Sequence, residues 1–436
     1  IFRRRSPRDG GQFSTPIHTG GDWALREKPA LQSDGASIDL APHTDSPGVS
    51  GQYLKAKRGN MGQFYVASML EAGMLKRSDP LPLLDEGFGQ DLARSFGSSI
   101  GSTADILLEG IEVGTVDRAA LLEIGRDAHP ACLPLESDEW SLLKSYLLGE
   151  RLQFDQGARS RRSSAWLRLE LLDRGIGTRD ERPLRRAFYA REAPDGSPID
   201  ITGTTIDGWR AYQANEYGHV ALECLLNGMV SLLPEFGGAT SPATVIAALL
   251  EQALDEDARA QSWDAWARSL TEADEDDLAE PILRAIAQGA AGDEAIWQAA
   301  LKLLAVLWVR WGNNQLGVLH EISRGAGPTG RSLAGVLQAL TAASNSDVAG
   351  ALLSVLQRHI VAEHMAIAGQ KLAGSGTFTY HFLLADGEMS EGQLGKYTYT
   401  TPRLQNLTRF MGDAGLHAAE KVTAEGRRFL DAYQAH

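Results

Sequence analysis

Several short runs in this sequence place side chains in patterns that do chemistry elsewhere. GAGPTGRS at residues 325–332 has the spacing of a phosphate-cradling loop, with Arg331 where a lysine would reach the terminal phosphates. Such a loop leaves a strand and opens a helix, so that backbone N–H groups and the helix end hold the phosphates together. A long helical pattern precedes this run, which therefore reads as a turn between helices. GSSIG at residues 97–101 spells a nucleophile elbow around Ser99, which requires a preceding strand. A helical pattern precedes it instead, and the run reads as a Gly/Ser linker. Glu216 and His219 form Glu-x-x-His, with Glu223 one turn further on. Carboxylate-bridged di-iron bundles need two such pairs. The sequence holds no second pair, so a hydrogen-bonded polar cluster on one helix is expected. HIVAEH at residues 359–364 has one residue too many between its first histidine and the glutamate for an inverted zinc-protease motif. His359 and Glu363 are left as an i,i+4 pair. His320-Glu321 lacks the second histidine of a zincin, and no Glu-x-Lys occurs. No catalytic residue, metal ligand or cofactor site is assigned, and the expectation is a protein that is not an enzyme.

Binding chemistry is better represented. Arg3, Arg4, Arg5 and Arg8 crowd the start, Lys55, Lys57 and Arg58 form a second cluster, Arg159, Arg161 and Arg162 a third, and Arg182, Arg185, Arg186 and Arg191 a fourth. Each is able to hold phosphates or to be spent on the chain's own carboxylates. The net charge of −14 gives no long-range attraction to nucleic acid. Any such contact must be local. The acidic run Glu272, Asp274, Glu275, Asp276, Asp277 and Glu280 precedes a helical pattern and reads as a solvated helix N-terminus, where the macrodipole favours negative charge. The two cysteines, Cys132 and Cys224, form neither a disulfide framework nor a zinc site.

The elements that position these groups are mostly helices. Residues 1–51 are rich in Gly, Ser, Pro and Asp and read as an extended arm; the basic opening has no apolar core of a signal peptide. Over residues 52–116, MGQFYVASMLEAGML is stopped by Gly73, an insert of hairpin length follows, and DEGFGQDLARSF resumes the helix. Residues 373–436 repeat this layout. Ala414-Gly415-Leu416 echoes Ala72-Gly73-Met74, and Gly426, Phe429 and Tyr433 have the offsets of Gly89, Leu92 and Phe96. Helix, glycine stop, hairpin and capped helix predict a winged-helix-like module at each end, with strands near residues 75–84 and 377–400. The alternating run 377–387 is read as opening the second module. Residues 117–372 form the helical core. Its most apolar helix, residues 295–311, has an unbroken apolar run of only residues 303–309, too short to span a bilayer. The fold class is therefore mainly α, a multi-helix core flanked by two winged-helix-like modules. In the second module TPRLQNLTRFMGDAGL is the recognition-type helix. Leu404, Leu407, Phe410 and Met411 face inward, and Arg403, Gln405, Asn406 and Arg409 are left outside.

The ordering of YLKAKRGNMGQFYVASMLEAGML, GQDLARSF, NEYGHVALECLLNGMVSLL, RHIVAEHMAIAGQKL, TPRLQNLTRFMGDAGL and TAEGRRFL resembles a diffuse family of uncharacterised, helix-rich bacterial proteins that look like accessory subunits of antiviral or anti-plasmid defence operons. Such proteins carry an additional N-terminal segment, in keeping with a start at Ile1. The resemblance brings no catalytic residue. It implies a cytoplasmic, non-catalytic subunit that senses or holds nucleic acid beside a separate ATPase or nuclease, with other protein subunits as partners, DNA as a further partner and no membrane. The candidate contact residues are Lys55, Lys57, Arg58, Arg403, Gln405, Asn406 and Arg409. A winged-helix transcriptional regulator and an enzyme with an unrecognised site remain as alternatives.

Overall fold

The fold was obtained as a computed structural model. It describes residues 37–39, 65–79, 81–128, 136–150, 157–177, 181–288, 290, 292–312, 315–323, 332–375, 378–390, 392–395 and 404–434. In chain order, β1 (Ser37–Asp39) precedes α1 (Val66–Glu71), β2 (Leu75–Lys76), β3 (Leu83–Leu84), α2 (Phe88–Ile100), α3 (Thr103–Val113), β4 (Thr115–Asp117), α4 (Arg118–Asp127), α5 (Asp138–Leu147) and α6 (Ala158–Asp173). Then come α7 (Glu181–Tyr189), α8 (Thr204–Leu232), β5 (Ala239–Thr240), α9 (Pro242–Ala253), α10 (Glu256–Ala260), α11 (Trp263–Ser269), α12 (Glu275–Ala287) and α13 (Glu294–Trp311). The remainder is α14 (Leu316–Ser323), α15 (Leu333–Ala342), α16 (Val348–Leu356), a π-helical turn (Gln357–Ala362), α17 (Glu363–Ser375), β6 (Leu383–Ala385), β7 (Glu388–Ser390), α18 (Leu404–Asp413), β8 (His417–Ala418), β9 (Lys421–Val422) and α19 (Ala424–Gln434). The chain is thus mainly helical, and among the described residues the largest sheet has three strands. Side-chain caps begin many of the helices. Asp117, Ser137, Ser241, Asp255, Ser262, Asp293 and Asp347 each accept an N–H from the first turn that would otherwise lack a partner.

The chain divides into two units, residues 1–173 with 404–436, and residues 174–403. The first unit holds a repeated backbone device. In its first copy α1 ends at Ala72, Gly73 turns left-handed at φ 66°, and the Met74 N–H returns to the Met69 carbonyl at 2.9 Å. In the second α18 ends near Ala414, Gly415 has φ 79°, and the Leu416 N–H returns to the Met411 carbonyl at 2.9 Å. This six-to-one closure satisfies a carbonyl that the helix end leaves open. A two-stranded hairpin follows in each, β2–β3 and β8–β9. The chain then crosses back, the Asp85 N–H bonding to the Met74 carbonyl and the Thr423 N–H to the Leu416 carbonyl, both at 3.0 Å. The helices α2 and α19 start there, and Gly89 and Gly426 each lie against the carbonyl of Met74 or Leu416. The glycine offsets read from the sequence therefore mark one geometry used twice.

The second hairpin differs in its turn. Ala419 and Glu420 join β8 to β9 with φ of 47° and 63°, so two residues with side chains occupy the left-handed region that a two-residue hairpin loop demands. Asn tolerates that conformation better than Ala. We expect Ala419→Asn to raise the urea midpoint, worth about 0.5–1 kcal/mol, because it relieves local strain without touching a packed side chain. A lowered midpoint would show that Ala419 has a packing role of its own.

The second unit is a helical bundle around α8 and α13. Val220, Cys224, Leu225 and Met229 of α8 meet Trp297, Leu301, Leu304 and Trp308 of α13 in one continuous core, which Val245, Leu249, Leu337 and Leu352 extend. Residues 295–311 are thus a buried core helix, and among the described residues no helix is long and apolar enough to cross a membrane. Of the strand expected over residues 377–387, the described residues form only β6. It pairs with β7, which pairs in turn with β5, all inside this second unit. The hairpin of the C-terminal repeat is β8–β9 instead, a separate two-stranded sheet.

Burial corrects the reading of the acidic run. Asp276 keeps only 4 % of its side chain exposed and Glu275 only 1 %. Asp276 accepts from Arg182 Nε at 2.8 Å, Arg185 Nε at 2.9 Å and the Tyr217 hydroxyl at 2.9 Å. Glu275 pairs with Arg310 and accepts from the Tyr189 hydroxyl at 2.5 Å, which accepts from Trp311 Nε1 at 2.9 Å. The acidic run is therefore not simply a solvated cap. Asp274 does cap α12, accepting the N–H groups of Asp276 and Asp277 at 2.8 and 3.1 Å. Its neighbours turn inward and neutralise Arg182, Arg185 and Arg310, because a buried charge persists only when paired and hydrogen-bonded. Burial still lifts the Glu275 carboxyl above the usual range, against its bond from Tyr189 and the charge of Arg310.

Candidate nucleic-acid interface

The exposed side of α18 is built from the inside outward. Met411 is fully buried, and Leu407 and Phe410 pack with it against Leu147, Leu148, Ala165, Leu169 and Leu172. Three-residue steps thus put one face of α18 into the small core of the first unit. Asn406 and Arg409 fall on the other side and are exposed. Arg409 makes no ion pair with any described residue. Arg403 lies outside the described residues, as do Lys55, Lys57 and Arg58, and of Leu404 and Gln405 only the backbone is described. The structure therefore brings Asn406 and Arg409 onto one surface and leaves the other expected contact residues unplaced.

What fixes α18 in place is a group outside every basic cluster of the sequence. Arg168 on α6 is 1 % exposed, and its Nε donates to the Thr408 hydroxyl at 2.9 Å. Burial pulls its guanidinium down to about 10, opposed by the charge of Glu420. The Thr408 carbonyl accepts from His417 Nε2 at 2.7 Å, tying the same turn of α18 to β8. Arg168 has one signal in the sequence. It sits at i+3 from Ala165 and i−4 from Leu172, on the stripe that otherwise holds only apolar residues. Further polar ties hold α19. Lys144 bonds Glu425 at 2.9 Å and depresses its carboxyl, and Arg427 forks onto Asp173 at 2.9 and 2.5 Å.

The other basic clusters are partly spent. Arg161 stacks over the Tyr146 ring at 4.0 Å and its Nε donates to the Tyr146 carbonyl at 3.3 Å, and Arg162 lies 5.8 Å over Phe429. Of that cluster Arg159 is exposed. The fourth cluster is consumed by carboxylates, with Arg186 on Glu192 and Arg191 on Asp207 in addition to the pairs above. Residues Arg3, Arg4, Arg5 and Arg8 lie outside the described residues.

The runs that mimic enzyme motifs take up other roles. GSSIG is not a linker, since α2 continues through Ile100 and the Ser99 hydroxyl donates to the Ser95 carbonyl at 2.8 Å. Serines and a glycine form helix here despite their weak propensity, and the run ends on buried Ile100. Of GAGPTGRS only Ser332 is described, at the N-cap of α15, where its side chain makes no capping bond. His219 Nε2 meets Glu223 Oε1 at 3.1 Å, the expected polar cluster along α8. Among the described residues no group of three His, Cys, Asp or Glu side chains is arranged to hold a metal ion.

Comparison with known proteins returned no matching family model, no matching curated protein and no matching solved structure.

Proposed function

We propose that the chain is a non-catalytic subunit of a multi-protein bacterial defence complex, in which it holds nucleic acid beside a separate ATPase or nuclease subunit. The two helix–hairpin–helix copies act as winged-helix-like modules, and α18 is the recognition-type helix of the second. The observation that carries this reading is the repeated device at Gly73/Gly89 and Gly415/Gly426, which presents a helix and a short hairpin side by side. A helix held in that way offers side chains to a groove while the hairpin lies along the backbone. Exposed Asn406 and Arg409 supply an amide and a guanidinium, the groups that meet base edges and phosphates. The placement in a defence complex rests on the sequence resemblance. A chain of net charge −14 repels phosphate overall, which suits a subunit that shares its nucleic acid with a partner.

The test is the double charge reversal Arg403→Glu/Arg409→Glu in the full chain. Co-purification of partner subunits and retention on immobilised DNA are both measured, with circular dichroism as the control for folding. We expect DNA retention to fall by about tenfold or more, since each phosphate or base interaction is a strong local term. A folded variant that keeps both its DNA and its partners would show that α18 serves neither.

A further inference from the structure

Within the helical unit a cavity of about 280 Å³ lies between α8, the start of α15, the π-helical turn and α17. This is close to the lower end of ligand pockets, about 300 Å³, so it has room for one small molecule. The walls are apolar on several sides, with Leu222 and Leu226 from α8, Leu333 and Val336 from α15, and Ile367 from α17. Polar groups converge at the remaining edge: His219 and Glu223, His359, and the pair Glu363 and His364. The π-helical turn is what presents His359 and Ile360 to this space, and such turns recur where a helix is bent to serve a site.

Several features narrow the occupant. Among the described residues His359 Nε2 is buried without a hydrogen-bond partner, an unusual state for a ring nitrogen that a ligand atom would relieve. His364 Nε2 accepts the His381 backbone N–H at 2.9 Å, so its ring carries its proton on Nδ1. Burial, with His381 beside it, holds His364 down at about 4, and burial with Arg358 lowers His359 as well, so both are neutral imidazoles near pH 7. His219 is raised by its bond to Glu223, and that carboxylate already answers its charge. At the start of α15 the Leu333 N–H is taken by Asn215 Oδ1 at 3.2 Å. The lining thus offers the Glu363 carboxylate, the His219–Glu223 pair and the neutral rings of His359 and His364, a poor receptor for an anion and a good one for a flat hydrogen-bonding molecule.

We propose that this cavity binds a small, uncharged or cationic aromatic heterocycle of nucleobase size. Its ring lies against the leucine and isoleucine walls, and one of its polar edge atoms bonds His359 Nε2. Its amine faces Glu363. A phosphorylated counterpart is disfavoured by that carboxylate.

The experiment is calorimetric titration of the full chain with adenine, with cytosine, and with adenosine monophosphate. One of the bases is expected to bind with a dissociation constant below about 1 mM and to raise the unfolding midpoint. The monophosphate should bind at least about tenfold more weakly, as should His359→Leu with the preferred base, because each loses one favourable polar interaction. His359→Gln should recover part of the loss by restoring a polar atom. Should His359→Leu fail to fold, Ile367→Trp fills the cavity from a half-buried wall position and should abolish binding. Failure of both bases to bind, a monophosphate that binds as tightly as its base, or unaltered binding by the folded variants would each overturn the assignment.

Discussion

Asp276→Ala is expected to lower the unfolding free energy of the helical unit by about 3–5 kcal/mol, the usual consequence of removing one partner from a buried pair. Three donors converge on this carboxylate, from Arg182, Arg185 and Tyr217. Arg185 is itself only 8 % exposed, and without Asp276 it loses the carboxylate that its Nε meets at 2.9 Å, while Glu280 stays at 3.3 Å. Asp277 gives the contrast. It also pairs with Arg182, at 2.5 Å, but 64 % of its side chain is exposed. Water replaces the missing partner there, so Asp277→Ala should cost less than about 1 kcal/mol. Urea unfolding followed by the fluorescence of the buried tryptophans separates the two. Equal costs would mean that burial does not govern the network.

The second large effect concerns the repeat. At Gly426 an added Cβ would sit 2.1 Å from the Leu416 carbonyl oxygen and 3.0 Å from its carbon, and at Gly89 it would meet the Met74 carbonyl at the same distances. The obstacle is backbone, which cannot swing aside as a side-chain tip does. Gly426→Ala should therefore cost about 3 kcal/mol by overpacking, reduced by about 1 kcal/mol from better helix propensity. Gly415→Ala is a different case. Among the described residues nothing crowds its Cβ, but its φ of 79° is left-handed, so about 1–2 kcal/mol is expected from backbone strain alone. Because the chain has two units, a single global unfolding energy is not the right observable. Hydrogen exchange of the α18 and α19 amides reads the local cost. If Gly426→Ala left that protection unchanged, the crossing of α19 over Leu416 would be wrong.

How much of this is legible in the sequence follows from which interactions are local. Helix dominance, the buried nature of residues 295–311 and the matched glycines are written in short-range periodicity and stop signals, and they read directly. The pairing of Arg182 and Arg185 with Asp276 joins residues more than ninety positions apart, and a charge in a sequence carries no address for its partner. Arg168, a single arginine on an apolar stripe, looks like a charge at the rim until its burial is seen. The short pairing of β5 with β7 has no period to detect at two residues. Of the candidate interface, the sides of α18 are visible from its three-residue steps, whereas the cavity histidines come from α8, from the π-helical turn and from the start of α17, with His219 and His359 140 residues apart in the chain. Only folding brings His219 and His359 to one wall.

Whether α18 presents a surface for nucleic acid is decided by the affinity of the full chain for a short DNA duplex between about 50 and 200 mM salt, where counterion release sets the slope. Binding is expected, and it should weaken linearly with salt on logarithmic axes. Arg403→Glu/Arg409→Glu should both weaken binding and reduce the slope by about 2, one for each arginine withdrawn from a phosphate. Binding without salt dependence, or a folded double variant with the parent's affinity and slope, would contradict a nucleic-acid surface on α18.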